Sequence, residues 1–303
     1  MLVPALPRLI RVAESTCCDG SSLDELTAAF ENILSVLLKR SSRTELDSTP
    51  GIDPDAIVEM GSGDQTVFFL HGLFGSPEHW RRVMERLADR YRVIAPQLPV
   101  DPKPGRRKHG IKAIADLSDQ VRGLIESFRI DPLVICGNSL GGLVAIDLCA
   151  RYPQLSKGLV LAGSAGLFER SPIGGIRPRP SREFVRSTVS GIVYEQELVT
   201  DELVDDWHNS IKDRDYVRFI LRVSRATRDR TVERELENLD LPTMIIWGRE
   251  DTVTPPSTGL EFQRRIKGAR LQFIDDCGHA PNWERPEAFA DVLDEFLPTC
   301  FAN

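Results

Sequence analysis

Long apolar runs are missing from this chain of 303 residues. None approaches the roughly 20 residues that a helix needs to cross a bilayer. The segment from Met1 to Arg8 lacks the order of a signal peptide, which is a basic stretch, then an apolar stretch, then a small-residue cleavage site. We therefore expect neither a membrane span nor a secretory leader.

Metal-binding and nucleic-acid-binding patterns are also missing. The five histidines form no H-x-x-x-H pair and the six cysteines form no C-x-x-C pair, which are spacings typical of zinc sites. The formal net charge is −7, whereas nucleic-acid-binding domains usually carry a basic excess. The dense basic cluster Arg106-Arg107-Lys108 fits a solvated loop. We expect no metal, no cofactor and no nucleic-acid partner.

The cysteines lack the density of a secreted disulfide scaffold. Free thiols suit a reducing compartment, so we expect a cytoplasmic protein. The six are Cys17, Cys18, Cys136, Cys149, Cys277 and Cys300.

A chain of this length can bury about three quarters of its unfolded surface, enough for one large domain or a core with a small insertion. Residues 1–50 differ from the rest. Apolar residues recur every three or four positions from Leu23 to Leu38, which predicts an amphipathic helix from about Ser22 to Lys39. Packing on the main domain, homodimer formation and closure over a site entrance are its open roles.

One stretch combines a strand, a tight turn and a helix. Leu133 to Cys136 has the composition of a buried strand, Gly137-Asn138-Ser139-Leu140-Gly141 follows, and Gly142 to Ala150 is apolar at helical spacing. This context is typical of a nucleophile elbow, a G-x-S-x-G turn that holds its serine in a strained conformation. The alternative is an ordinary glycine-rich loop between a strand and a helix.

Strands alternate with helices along most of the chain, which predicts right-handed crossovers and a mostly parallel sheet. Ala56 to Met60 and Thr66 to Leu70, with a Gly61-Ser62-Gly63-Asp64 turn between them, predict a hairpin. The alternation stops between about Ala165 and Leu239, where prolines and helical patterns predict an inserted subdomain. We therefore expect a helical extension at 1–50, an α/β core at 51–164 and 240–303, and a helical cap at 165–239.

A serine hydroxyl is a poor nucleophile at neutral pH, so it needs a base within hydrogen-bond reach and a third group that orients the base. Gly248-Arg249-Glu250-Asp251 follows one predicted strand, and Cys277-Gly278-His279 follows another. The chain order is then serine, acid, histidine. Glu250 and Asp251 are both candidates for the acid.

This order resembles that of the α/β-hydrolase family. The resemblance covers about Ala56 to Leu297, and the N-terminal helix has no counterpart in it. It implies an α/β-hydrolase fold, with a mostly parallel sheet flanked by helices, an inserted helical cap and an extra N-terminal helix. The matching motifs are His71-Gly72 in the first loop, Gly137 to Gly141 at the elbow, Gly248 to Asp251 at the acid turn, and Gly278-His279-Ala280-Pro281 with Glu284-Arg285-Pro286 at the histidine loop.

By this resemblance Ser139 is the nucleophile, His279 the general base and then acid, and Asp251 the orienting carboxylate. The oxyanion hole is implied to use the backbone N–H groups of Leu73 and Leu140. His71 is expected to hold the backbone of the first loop.

Three aromatic residues, Phe74, Trp80 and Trp283, are candidates for the substrate pocket, with packing in the core as the alternative for each. Trp80 also lies on the inner face of a helix predicted from about Pro77 to Arg90, with Val83, Met84 and Leu87. The cap carries eight arginines, for which a clamp on a substrate carboxylate and salt bridging in solvent are the two hypotheses. They are Arg177, Arg179, Arg182, Arg186, Arg218, Arg222, Arg225 and Arg228.

The resemblance implies hydrolysis of carboxylic esters through an acyl-enzyme. Relatives that open epoxides or remove halides use an aspartate at the elbow, which argues against both reactions here. C–C bond hydrolysis of meta-cleavage-type products is an alternative suggested by Asn138-Ser139, although Ala280 replaces the tryptophan usual in that subgroup and Arg81-Arg82 stand where an asparagine is usual. Haloperoxidase-like perhydrolysis and a non-catalytic binding protein are further alternatives.

Overall fold

The structure is a computed structural model that describes residue 52 and residues 56–100, 111, 113–128, 130–168, 181–228 and 230–302. The helix predicted from about Ser22 to Lys39 lies outside the described residues, together with the roles suggested for it.

Strands and helices alternate through the described ranges. The strands are β1 (Ile57–Met60), β2 (Thr66–Leu70), β3 (Arg92–Pro96), β4 (Leu133–Asn138), β5 (Gly158–Ala162), β6 (Thr243–Gly248) and β7 (Arg270–Ile274). The α-helices are α1 (Arg81–Leu87), α2 (Ile114–Ser127), α3 (Leu140–Arg151), α4 (Arg182–Ser190), α5 (Asp201–Ser210), α6 (Arg214–Arg228), α7 (Glu233–Glu237), α8 (Pro256–Arg265), α9 (Pro281–Glu284) and α10 (Pro286–Phe301). Short 3₁₀ helices lie at Pro77–Trp80, Pro153–Leu155 and Gln196–Leu198.

The seven described strands form one sheet in the order β1-β3-β2-β4-β5-β6-β7. Only the pairing of β1 with β3 is antiparallel, and β2 to β7 all run parallel to their neighbours. Every residue of β2, β4, β5 and β6 is buried, as expected for parallel strands covered by helices on both faces. The predicted mostly parallel sheet is therefore confirmed.

The predicted hairpin of the first two strands is wrong. β1 pairs with β3, from Ile57 opposite Pro96 to Met60 opposite Val93, and β3 separates β1 from β2. The burial of the two strands explains this. β2 is buried throughout and takes parallel partners on both sides, whereas β1 is partly exposed and lies at the edge of the sheet.

Trp80 belongs to the core and not to the substrate pocket, which corrects the pocket role considered for it. Its side chain has no exposed surface, and its ring lies 4.8 Å from that of Phe69 and 5.7 Å from that of Phe289. The helical spacing with Val83, Met84 and Leu87 already favoured this position, since all four residues are fully buried on one face.

The helices between β5 and β6 have a small apolar core of their own. We call residues 165–239 the insertion. Five valines, from α4, α5 and the connection between them, form this core, and Trp207 of α5 and Trp283 of α9 pack against it. Because α9 directly follows the histidine loop, the packing of Trp283 gives the insertion apolar contacts with the chain next to His279. The valines are Val185, Val189, Val193, Val199 and Val204.

We predict that Trp80→Ala lowers the free energy of unfolding by about 3–5 kcal/mol, because it removes a fully buried indole and leaves a cavity. Urea denaturation followed by circular dichroism measures this change. Trp80→Phe should lower stability less, since it keeps an aromatic ring and removes an indole N–H that has no hydrogen-bond partner among the described residues. Equal losses in the two variants would contradict the packing argument.

Candidate active site

The turn between β4 and α3 is very tight. Ser139 has φ 53° and ψ −117°, a conformation that non-glycine residues rarely adopt. A Cβ atom on Gly137 would lie 2.5 Å from the backbone nitrogen of Gly142, and one on Gly141 would lie 2.8 Å from the carbonyl oxygen of His71. Only glycine permits these approaches. The turn therefore has the strand, strained serine and helix expected of a nucleophile elbow.

Hydrogen bonds join three side chains that are far apart in the sequence. The Ser139 Oγ lies 2.9 Å from Nε2 of His279, and Nδ1 of the same ring lies 2.9 Å from Oδ2 of Asp251. All three residues are buried, with 3–9% of their surface exposed. Since a carboxylate only accepts hydrogen bonds, Nδ1 carries the proton and Nε2 is left to accept the serine hydroxyl proton.

Asp251 is held in place by the chain that follows it. Its Oδ1 accepts hydrogen bonds from the backbone N–H groups of Val253 and Thr254, at 2.8 and 2.9 Å. The Thr254 hydroxyl donates to Oδ2 at 2.7 Å and lies 3.2 Å from Nδ1 of His279. Thr254 thus contacts both the Asp251 carboxylate and the His279 imidazole. No sequence motif singled it out.

The two candidate acids have different partners. Glu250 accepts a hydrogen bond from the backbone N–H of Cys277 at 2.9 Å, and its own N–H donates to the Cys277 carbonyl at 3.0 Å. Its carboxylate therefore braces the backbone of the histidine loop. The carboxylate that contacts the imidazole belongs to Asp251.

The loop after β2 passes directly beside the serine. A Cβ atom on Gly72 would lie 3.0 Å from the Ser139 Cβ, so the next residue, Leu73, reaches the same space. Leu140 is the first residue of α3, and an N–H group at that position has no acceptor within its own helix. Leu140 directly follows the serine, and Leu73 lines the same cleft as Ser139.

His71 holds the backbone of this loop. Its Nδ1 lies 2.7 Å from the Gly72 carbonyl oxygen, and its Nε2 accepts from the Leu98 N–H at 2.9 Å. Burial lowers the pKa of His71 to about 4, so the ring is uncharged at neutral pH and can donate at one nitrogen and accept at the other. Phe74, three residues after His71, has φ 60°.

A cleft that is partly open to solvent lies over Ser139 and His279. Phe74 and Trp283 line it, as considered from the sequence, and Trp80 does not. The insertion supplies an opposite wall that includes Val189, Ile192, Val193, Trp207 and Ser224.

Aromatic contacts define two sides of the cleft. The ring of Phe74 lies 4.4 Å from that of Trp207 in the insertion, and the ring of Trp283 stacks on His79 at 4.3 Å and 7°. Trp207 had not been recognised as a cleft residue. Its spacing from Leu203 and Val204 gives the signal of an inner helix face.

Three of the described cap arginines form salt bridges, among them Arg218 with Asp215, whereas Arg222 and Arg225 are exposed. Arg182 pairs with Asp201 and Asp205, and Arg186 pairs with Asp201. Among the described residues, no lysine or arginine lines the cleft. Arg177 and Arg179 lie outside the described residues.

Glu284 joins the histidine loop to the insertion. This buried carboxylate accepts backbone hydrogen bonds from Gly278 and Ala280 on either side of His279, each at 3.0 Å. It also accepts from Tyr194 at 2.6 Å and Glu195 at 3.2 Å in the insertion. The sequence placed Glu284 in a motif but gave it no role.

The backbone of His279 is itself tied on both sides. Its N–H donates to the Ile192 carbonyl of the insertion at 3.0 Å, and its carbonyl accepts from the Asn138 side chain at 3.1 Å. Asn138 also donates to the Ala162 carbonyl at the end of β5, at 3.0 Å. The imidazole is therefore oriented by strand ends and by the insertion together.

The described residues contain neither a metal-binding cluster nor a membrane-spanning helix. No group of three His, Cys, Asp or Glu side chains is arranged to hold a metal ion. None of the described helices combines the length and the apolar character that crossing a membrane requires.

The fold agrees with comparisons to known proteins. The profile of the alpha/beta hydrolase family matches residues 67–292. The chain therefore belongs to the α/β hydrolase family, which confirms the fold class expected from its motifs.

Relatives show which hydrolases this chain resembles. A 2-hydroxy-6-oxo-6-phenylhexa-2,4-dienoate hydrolase of Burkholderia cepacia is 28% identical over 79% of this chain and 89% of that protein. A meta-cleavage product hydrolase of Pseudomonas fluorescens is 28% identical, with a TM-score of 0.71 over 82% of this chain and 94% of that one. A thermophilic esterase of Thermogutta terrifontis shares the fold at 23% identity, with a TM-score of 0.66 over 81% of this chain and 93% of that one.

We predict that Glu284→Ala lowers the free energy of unfolding by about 3 kcal/mol, because buried N–H groups lose a charged acceptor. Glu284→Gln should lower it less, since one carbonyl oxygen remains. Urea denaturation measures both. The matched control is Glu287→Gln, which removes an exposed pairing with Arg82 and should change stability by less than about 0.5 kcal/mol. Similar small changes in the free energy of unfolding of all three variants would show that the buried contacts of Glu284 do not stabilise the fold.

Proposed function

We propose that this chain is a serine hydrolase of carboxylic esters, with Ser139 as nucleophile, His279 as general base and acid, and Asp251 as the orienting carboxylate. The observation that carries the proposal is the continuous hydrogen-bond path from Asp251 through His279 to Ser139. Such a path is how an otherwise weak hydroxyl nucleophile is activated.

The proposed reaction begins with the transfer of the Ser139 hydroxyl proton to Nε2 of His279 as Oγ attacks the ester carbonyl carbon. The imidazolium that forms is stabilised by Asp251, which stays ionised. His279 then gives the proton to the leaving alcohol, and an acyl-enzyme remains on Ser139. A water molecule activated by His279 attacks this ester and releases the acid.

Negative charge on the carbonyl oxygen needs donors that are already in place. In this proposal the backbone N–H groups of Leu73 and Leu140 form the oxyanion hole. The strained turn, the close approach of Gly72 and the bracing of the first loop by His71 support it, because they hold both donors beside the serine before substrate binds.

The uncharged character of the cleft favours ester substrates without a carboxylate. Apart from the proposed catalytic groups, the described lining consists of apolar residues with Asn138, His79 and Ser224. Burial lowers the pKa of His79 to about 4, so this ring is also uncharged at neutral pH. An anionic substrate would find no cation among these residues, and a buried unpaired charge is strongly unfavourable.

C–C bond hydrolysis is the second candidate, because relatives over most of the chain's length are named as dienoate hydrolases. Asn138 before the serine had suggested the same reaction from the sequence. Ala280 and Arg81-Arg82 depart from that subgroup as described above, and the uncharged described lining suits a dienoate carboxylate poorly. We therefore rank ester hydrolysis first.

We also propose that the insertion, residues 165–239, acts as a cap that shapes the acyl pocket and limits water. Its contacts through Glu284 and Ile192 support this role.

A cytoplasmic location is our further proposal, based on four described cysteines that are buried and free: Cys136, Cys149, Cys277 and Cys300. Dimerisation through the N-terminal helix stays a prediction.

We expect Ser139→Ala to lower ester turnover by about 10⁵-fold or more, as for other serine hydrolases that lose the nucleophile. Wild-type protein should be labelled by a fluorophosphonate probe and the variant should not, as measured by mass spectrometry. Ser187→Ala, at an exposed serine of α4, is the control and should keep both turnover and labelling. A folded wild-type chain that is neither labelled nor active on any ester would favour a non-catalytic binding protein.

A substrate panel separates the two candidate reactions. We expect kcat/KM for p-nitrophenyl acetate, butyrate or octanoate to exceed that for 2-hydroxy-6-oxo-6-phenylhexa-2,4-dienoate, because the described lining offers no cation for a carboxylate. Release of p-nitrophenol and loss of dienoate absorbance measure the two. The reverse ranking would replace ester hydrolysis by C–C hydrolysis while leaving the roles of the three catalytic residues intact.

A further inference from the structure

His79 is a cleft residue that the proposed chemistry does not use. It lies in the 3₁₀ helix Pro77–Trp80, just after the loop that passes beside Ser139. Its ring lines the cleft and stacks on Trp283 at a centroid distance of 4.3 Å, with only 7° between the ring planes. The imidazole is therefore fixed against a wall of the substrate cleft.

The backbone around His79 is fixed as well. Its carbonyl oxygen accepts a hydrogen bond from the Asn282 side chain at 3.1 Å, and the next residue, Trp80, is fully buried in the core. Asn282 lies in α9, just after His279, and Trp80 packs on Phe69 of β2. The ring thus has a defined position before a ligand arrives, which favours specific recognition.

The ring nitrogens of His79 lack hydrogen-bond partners within the described part of the chain, although the side chain is only partly exposed. The other two imidazoles of this region are both engaged, His71 with the loop backbone and His279 with Ser139 and Asp251. A ring nitrogen that has no partner in the protein can hydrogen-bond a ligand in the cleft, and a ligand that leaves it unpaired after displacing water is disfavoured.

The charge of His79 limits the kind of partner. Burial lowers its pKa to about 4, so at neutral pH it has one N–H donor and one nitrogen acceptor and no net charge. It cannot form an ion pair with a carboxylate. A hydroxyl group suits it best, because a hydroxyl both donates and accepts and so fits either ring nitrogen. Ser224, on the insertion wall of the cleft, adds a second uncharged polar group.

We propose that His79 is a specificity-determining residue whose imidazole hydrogen-bonds a hydroxyl group carried by the ester substrate. This inference rests on the proposed ester hydrolysis and narrows its substrates to hydroxylated, uncharged esters. The hydroxyl group belongs either to the acyl part or to the alcohol part, and the test below has one arm for each.

Two pairs of esters test the proposal. Ethyl 3-hydroxybutanoate and ethyl butanoate form the acyl arm, and 2-hydroxypropyl butanoate and propyl butanoate form the alcohol arm. Acid release in a pH-stat gives kcat/KM for each ester. We expect wild-type protein to prefer the hydroxylated member in one arm, and His79→Phe, which keeps the stacking on Trp283, to lower that preference about tenfold or more.

Two further variants make the result decisive. His79→Gln keeps a donor and an acceptor but loses the ring, and should retain more of the preference than His79→Phe. Glu78→Gln changes an exposed neighbour that pairs with Arg81 and should leave the preference unchanged. The inference is overturned if wild-type protein shows no preference in either arm, or if His79→Phe keeps it.

The same assays distinguish failure of the proposed ester hydrolysis from failure of the role proposed for His79. If wild-type protein hydrolyses none of the four esters and does not react with the fluorophosphonate probe, ester hydrolysis itself is wrong. If it hydrolyses both members of each pair equally well, ester hydrolysis stands and only the role of His79 falls.

Discussion

The close approach of three backbone segments around Ser139 is the constraint on which the rest of the site depends. The end of β4, the start of α3 and the loop after β2 come so near that side chains at Gly137 and Gly141 would collide with backbone atoms. The serine takes a strained conformation as a result. In the proposed ester hydrolysis, the helix N-terminus and the Gly72-Leu73 loop would stabilise the charge that develops on the carbonyl oxygen.

The histidine needs a different kind of support, because it lies on a loop and not on a strand or helix. Its backbone is bound by Asn138 and Ile192, and its neighbours are bound by Glu250 and Glu284. Carboxylates suit this task, since each can accept several N–H groups whose partners would otherwise be missing. Because Ile192 belongs to the insertion, the wall of the cleft and the orientation of His279 depend on each other.

Much of this arrangement could be predicted from residue order. The alternation of apolar segments with helical patterns predicted the parallel sheet, and the serine, acid and histidine motifs each follow a strand of that sheet. Parallel strands end at the same edge, so residues that follow them meet there. Spacing alone left Glu250 and Asp251 open and the family resemblance favoured Asp251, whose carboxylate contacts the imidazole in the structure.

The sequence by itself determined which reactive side chains are present and the order in which they follow the strands. Both features follow from local periodicity and short motifs. Only the tertiary structure decided that β1 pairs with β3 and that His79 faces the cleft. It also decided that Glu284 links the insertion to the histidine loop. These outcomes depend on packing between segments far apart in the chain, which no local pattern specifies.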